Sequence, residues 1–88
     1  MDRSDVERRT KDFALRIIRL VNALPNNQIS WTLGKQVLRS GTSIGANYRE
    51  ASRATSKKHF GSILAIASRE ASETLYWLEL QSESETVK

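Results

Sequence analysis

Glu50, Glu70 and Glu73 are the residues whose type and spacing come nearest to chemistry. Glu70 and Glu73 stand three apart, and with Glu50 from another segment they could hold a divalent cation as a minimal nuclease centre. Carboxylates at that spacing are equally ordinary on the wet face of a helix, and that reading is favoured. The single histidine, His59, has Ser56 three residues before it, so the Glu-x-x-His pairs of a di-iron bundle are missing. Cysteine is absent, which excludes disulfides, thiolate nucleophiles and Cys/His zinc sites. Gly41 and Gly45 are four apart but lack the lysine of a phosphate-binding loop. No nucleophile elbow is expected. No catalytic residue, metal or cofactor is assigned, and the chain reads as a non-enzyme.

Two patterns remain, both on the segment after Gln28. Ser40, Ser43, Asn47 and Glu50 recur at i, i+3, i+7 and i+10, a polar line along one edge of a helix. Buried polar groups cost free energy unless paired, so this seam, with Glu73 from a later segment, predicts hydrogen bonds between helices. Lys35, Arg39, Arg49 and Arg53 fall within about 80° of one another on the far side, at 100° per residue. Their stripe is about 27 Å long, comparable to several phosphate spacings. Arg8, Arg9, Arg16 and Arg19 add a second stripe, with Asp12 placed to pair with Arg8 or Arg16. The nucleic-acid candidates are Lys35, Arg39, Arg49, Arg53, Arg16 and Arg19. No sequence-reading motif or exposed aromatic platform is assigned, so the binding expected is weakly specific and salt-sensitive.

The elements that must carry these residues are all helices. Helix 1 is expected over about 5–24, with Ser4 and Glu7 as a capping box and Val6, Phe13, Ile17, Val21 and Leu24 among its apolar side. Pro25 cannot continue it. Helix 2 is expected over about 28–54, with a narrow seam of Leu33, Val37, Ile44, Tyr48 and Ala51. Gly41 and Gly45 either weaken its middle or permit close approach of a neighbour. Helix 3 is expected over about 57–80, starting near Ser56. Its main face is Phe60, Ile63, Leu64, Ala67, Ala71, Thr74, Leu75 and Leu78, widened by Ile66 and Trp77. That face exceeds the stripe one packed neighbour needs, which makes Ile66, Trp77 and Phe60 the candidate oligomer interface. The fold class is all-α, an up-and-down antiparallel bundle over residues 1–80, followed by a polar tail, 81–88, expected to fray.

Length and charge narrow the class further. A chain of 88 residues allows one domain with a small core, and small cores usually need a staple. With disulfides and zinc excluded, a second chain is the staple expected. The net charge of +4 is uneven. Residues 1–69 hold 13 Lys/Arg against 5 Asp/Glu, and residues 70–88 hold 1 against 5. A basic body with an acidic end suits an anionic partner or attraction between copies. No targeting segment is visible and no apolar run approaches the ~20 residues of a membrane span. A cytoplasmic location without membrane contact is the expectation.

Gln36-Val37-Leu38-Arg39-Ser40, Thr42-Ser43-Ile44-Gly45-Ala46-Asn47, Glu50 and Arg53 resemble the four-helix-bundle proteins encoded by intervening sequences in bacterial 23S rRNA genes. The likeness continues through Ser56-Lys57-Lys58-His59-Phe60, Ile66-Ala67, Glu73 and Leu75, and covers roughly residues 13–80. It implies subunits that assemble as a barrel-like pentamer, without enzymatic activity. The accessory protein of diversity-generating retroelements is similar in architecture and implies a basic scaffold for reverse transcriptase and RNA. The family carries a further helix beyond Trp77-Leu78-Glu79-Leu80, whereas this chain offers three of the four. Another copy, or swapping between copies, is expected to fill the gap. The function expected is a homo-oligomeric bundle that binds RNA or DNA. The alternative is an interaction module docking a partner helix on the apolar face of helix 3.

Overall fold

The computed structural model describes residues 2–84 as three helices, α1 (Arg3–Asn22), α2 (Gln28–Ala51) and α3 (Lys57–Glu83). Laid end to end they would exceed 100 Å at 1.5 Å per residue, yet the molecule measures 44 × 20 × 17 Å. The connections, 23–27 and 52–56, are short, so each helix returns antiparallel along its predecessor. α2 packs on both neighbours, while α1 and α3 flank it without close backbone contact between them.

The helix ends follow from capping chemistry. Asn27 accepts the Ser30 N–H at 2.9 Å and Ser56 accepts the His59 N–H at 3.0 Å, each capping a first turn. The start of α1 lies earlier than the Ser4 box predicts, because the Asp2 carboxylate accepts the Asp5 N–H at 2.9 Å. An ionised cap outcompetes a hydroxyl at the positive end of the helix dipole. α1 stops at Asn22, clear of the α-disfavoured residue before Pro25. α3 runs three residues beyond the expected end, because Gln81 is buried at its last turn. Polar content alone does not fray a turn that packs. Residues 85–88 of the expected tail lie outside the described residues.

Packing of α1 on α2 is set by glycine. A Cβ at Gly41 would lie 3.0–3.1 Å from Ile17 side-chain carbons, and one at Gly45 would lie 2.9 Å from Thr10 Oγ1. These glycines therefore bring two helix backbones together rather than marking a bend. The core is small and mixed: Ile17, Val37, Ala51, Ile63 and Ala67 are buried alongside Ser30, Ser40, Glu70, Thr74 and Gln81.

Candidate nucleic-acid interface

The seam between α2 and α3 is a polar latch centred on Arg39. Its Nη1 donates to Glu70 Oε2 at 3.0 Å and its Nη2 to Glu73 Oε1 at 2.8 Å. One guanidinium thus spans two carboxylates on successive turns of α3, a geometry that suits its planar fork. The Glu70 side chain is only 10% exposed, so its charge is the one that most needs the partner. The hydrogen bond that Arg39 donates to Glu73 is foremost in raising the Arg39 pKa above its usual value. Beside the latch, the Ser40 hydroxyl donates to the Gln36 carbonyl and accepts from Thr74 Oγ1 at 2.8 Å. Thr74 Oγ1 also lies 2.7 Å from the Glu70 carbonyl.

Arg39 therefore departs from the basic stripe predicted for it, since both accessible faces of its fork already hold carboxylates. The polar seam is realised at Ser40 and Glu73 only. Ser43 donates to the Arg39 carbonyl and Asn47 to the Ser43 carbonyl, both within α2, and Glu50 is exposed. Short hydroxyl and amide side chains satisfy themselves on the preceding turn of their own helix. Glu70, read from sequence only as a surface carboxylate, and Thr74, placed on the packed face of helix 3, both join the seam, which the sequence did not predict. Their signal was present: an acid and a hydroxyl at i, i+4, with Glu73 between them.

The remaining cations separate into two surfaces. Lys35 and Arg49 are exposed on α2 and Arg53 in the turn after it; Arg49 also lines a cleft with Thr10, Lys11 and Ala14 of α1. Arg16 and Arg19 are exposed on α1, on flanks turned away from Ile17, which packs on Gly41. None of these five makes an ion pair among the described residues. The pairing expected for Asp12 does not form; Arg8 pairs with Asp5 at 3.3 Å and Arg3 with Glu7 at 3.7 Å. Residues 13–49 contain no Asp or Glu at all. Lys57 and Lys58, in the first turn of α3, are also exposed.

The wide apolar face of α3 divides in two. Its centre, Ile63, Ala67, Glu70, Thr74 and Gln81, is buried on α2. One flank, with Leu75 and Leu78, joins Phe13 of α1 and Ile44 of α2 in an apolar cleft of about 360 Å³. Leu75 is 59% exposed there. Ile66 and Trp77 belong to the opposite flank, beside the latch, whereas Phe60 lies on the cleft side at the start of α3. Ile66 and Phe60 are exposed and Trp77 is half-buried, its indole N–H enclosed without a partner among the described residues.

The string Gly41-Thr42-Ser43-Ile44-Gly45 does match the Gly-x-Ser-x-Gly pattern, contrary to the expectation that no such elbow is present. It lies inside α2, not at a strand-to-helix turn. Ser43 hydrogen-bonds to its own helix, and the glycines serve the α1 contact. Glu70 and Glu73 meet Arg39 rather than Glu50, and no cluster of His, Cys, Asp or Glu among the described residues could hold a metal. No described helix is long and apolar enough to cross a membrane.

Residues 2–88 match the 23S rRNA-intervening sequence protein family. The chain belongs to that family. A solved structure agrees: a protein of unknown function from the S23 ribosomal protein family of Bacteroides thetaiotaomicron is 46% identical, with a TM-score of 0.91. The match covers 100% of this chain and 79% of that one. No curated protein matches. The likeness to intervening-sequence proteins read from residues 13–80 thus extends over nearly the whole chain.

Proposed function

We propose that this member of the 23S rRNA-intervening sequence family is a non-catalytic, homo-oligomeric bundle subunit that binds nucleic acid along the outer face of α2. The observation that carries the reading is the set of exposed, unpaired cations Lys35, Arg49 and Arg53, on a stretch whose one carboxylate is Glu50. Glu70 and Glu73, the acids on the latch side of α3, are occupied by Arg39. A cationic surface left uncompensated in this way attracts phosphates by counterion release, without reading bases. Symmetric assembly would repeat the surface around a particle and raise the local field.

The test is salt-dependent binding of RNA. Three phosphate contacts predict that affinity falls about 20–40-fold between 50 and 200 mM salt. The triple variant Lys35→Glu/Arg49→Glu/Arg53→Glu is expected to abolish binding with helical content unchanged. Arg39 is left intact so that the latch is not broken. Undiminished binding by the triple variant would reject the reading. The second reading, docking of a partner helix, is favoured by the apolar cleft over Ile44; it predicts capture that Leu75→Asp weakens and salt leaves unaffected.

A further inference from the structure

Trp31 is 62% exposed, the most exposed of the molecule's large hydrophobic side chains. It stands in the second turn of α2, where the helix start is already fixed by the Asn27 cap and needs no help from it. Its ring pairs with no other aromatic; the one aromatic contact among the described residues joins Tyr76 and Trp77. Trp31 lies about 40° around the helix from Lys35 and one turn before it, about 6 Å along the axis. Arg49 returns to the same angle as Trp31, and Arg53 follows in the turn after α2. The indole therefore begins a line that continues through Lys35 and Arg49 over about 27 Å. Burial against a neighbouring helix does not explain the position, because the residue stays 62% exposed although α1 packs on Gly34 and Gly45 nearby.

We infer that Trp31 is a base-stacking platform and that the ligand of the α2 outer face is a single-stranded nucleic acid. The inference rests on the nucleic-acid reading above and adds the strand state of the ligand and the residue that selects it. An indole offers a flat apolar face to any unpaired base, whereas the bases of a duplex are closed to such a face except at the ends. Lys35 supplies a charge one turn away for the adjoining phosphate, and Arg49 and Arg53 supply two more further along. Cation and aromatic interleaved along one groove or face is the arrangement by which strands are held without sequence preference. No acidic side chain occurs between Phe13 and Arg49, and Glu50, the one acid of α2, lies about 100° around the helix from Arg49.

The experiment measures binding of oligo(U) of about 12 nucleotides, and of an RNA duplex of equal length, to the wild type, Trp31→Ala and Trp31→Phe. Particle mass is followed in parallel. Trp31 is exposed, so neither variant threatens the fold. Trp31→Ala is expected to weaken oligo(U) binding about tenfold, within the range found for losing one base–aromatic stack. Trp31→Phe keeps most of the affinity, and duplex binding is the same for all three proteins. If Trp31→Ala binds oligo(U) like the wild type while Lys35→Glu/Arg49→Glu/Arg53→Glu binds neither ligand, the contact is electrostatic alone. The stacking inference then fails and the nucleic-acid reading stands. If the wild type binds neither ligand at low salt, both fail. A fall in particle mass for Trp31→Ala would place the indole between copies of the chain and overturn the inference.

Discussion

At the scale of single residues, Arg39 carries the greatest consequence. It is 48% exposed at the side chain, yet it answers a glutamate that is almost enclosed. Removing it leaves the Glu70 charge in a place that water barely reaches, and an uncompensated buried charge is far costlier than a lost surface pair. Arg39→Ala is therefore expected to lower the urea midpoint clearly, and Arg39→Lys to recover only part, because an ammonium cannot fork between two acids. The double variant Arg39→Ala/Glu70→Gln should be more stable than Arg39→Ala alone, since it removes the stranded charge. Equal midpoints for the two would show that Glu70 draws no support from Arg39. A cation whose folded pKa is raised stabilises at every pH below its unfolded value, which for arginine lies in strong alkali. On the arginine side, then, the latch is fully present at neutral pH and is lost only in strong alkali.

At the scale of helices, two glycines separate packing from propensity. Gly61 sits in exposed α3 with nothing within 4 Å of a Cβ. Gly61→Ala should raise stability by about 0.5–1 kcal/mol, the ordinary gain for alanine in a helix. At Gly45 the new methyl meets Thr10 Oγ1 at 2.9 Å and Thr10 Cβ at 3.1 Å. The Thr10 hydroxyl is held by the Val6 and Glu7 carbonyls, so it cannot simply swing aside. Overpacking of that kind costs about 1–3 kcal/mol and outweighs the helix gain. Gly45→Ala should thus lower the urea midpoint while Gly61→Ala raises it; a gain at both would mean that α1 yields to the methyl. The same contrast shows what the sequence made legible. Helix number, the Ser56 start and the break at Pro25 follow from local chemistry, which is written residue by residue. The buried line of α3 follows only in part: Ile63, Ala67 and Thr74 lie on the predicted face, whereas Glu70 and Gln81 are buried as well. Apolar periodicity is blind to those two and shifts the predicted face toward Leu64 and Leu75. Trp31 escaped notice for the converse reason: a tryptophan's exposure depends on which side of α2 its neighbours occupy.

At the scale of the molecule, the arrangement is one central helix with two flanking it, open over Ile44. Phe13, Leu75 and Leu78 line the opening, and exposed Ile66 and Phe60 add apolar surface on either side of α3. Apolar area covered by another chain is worth about 25 cal/mol per Å², while ordering two chains on one another costs several kcal/mol. A stable contact accordingly needs about 1,000 Å² or more, which the cleft can provide only together with its rims. If copies of the chain cover it, as the proposed oligomer requires, light scattering should give a folded particle whose mass is a multiple of 10.0 kDa. Leu75→Asp should then reduce that mass without loss of helical content, because Leu75 is 59% exposed within one chain. A wild-type particle of 10.0 kDa would remove self-assembly from the proposal. It would leave the α2 surface intact, since Trp31, Lys35 and Arg49 stand on one helix, with Arg53 in the turn after it, and need no second copy.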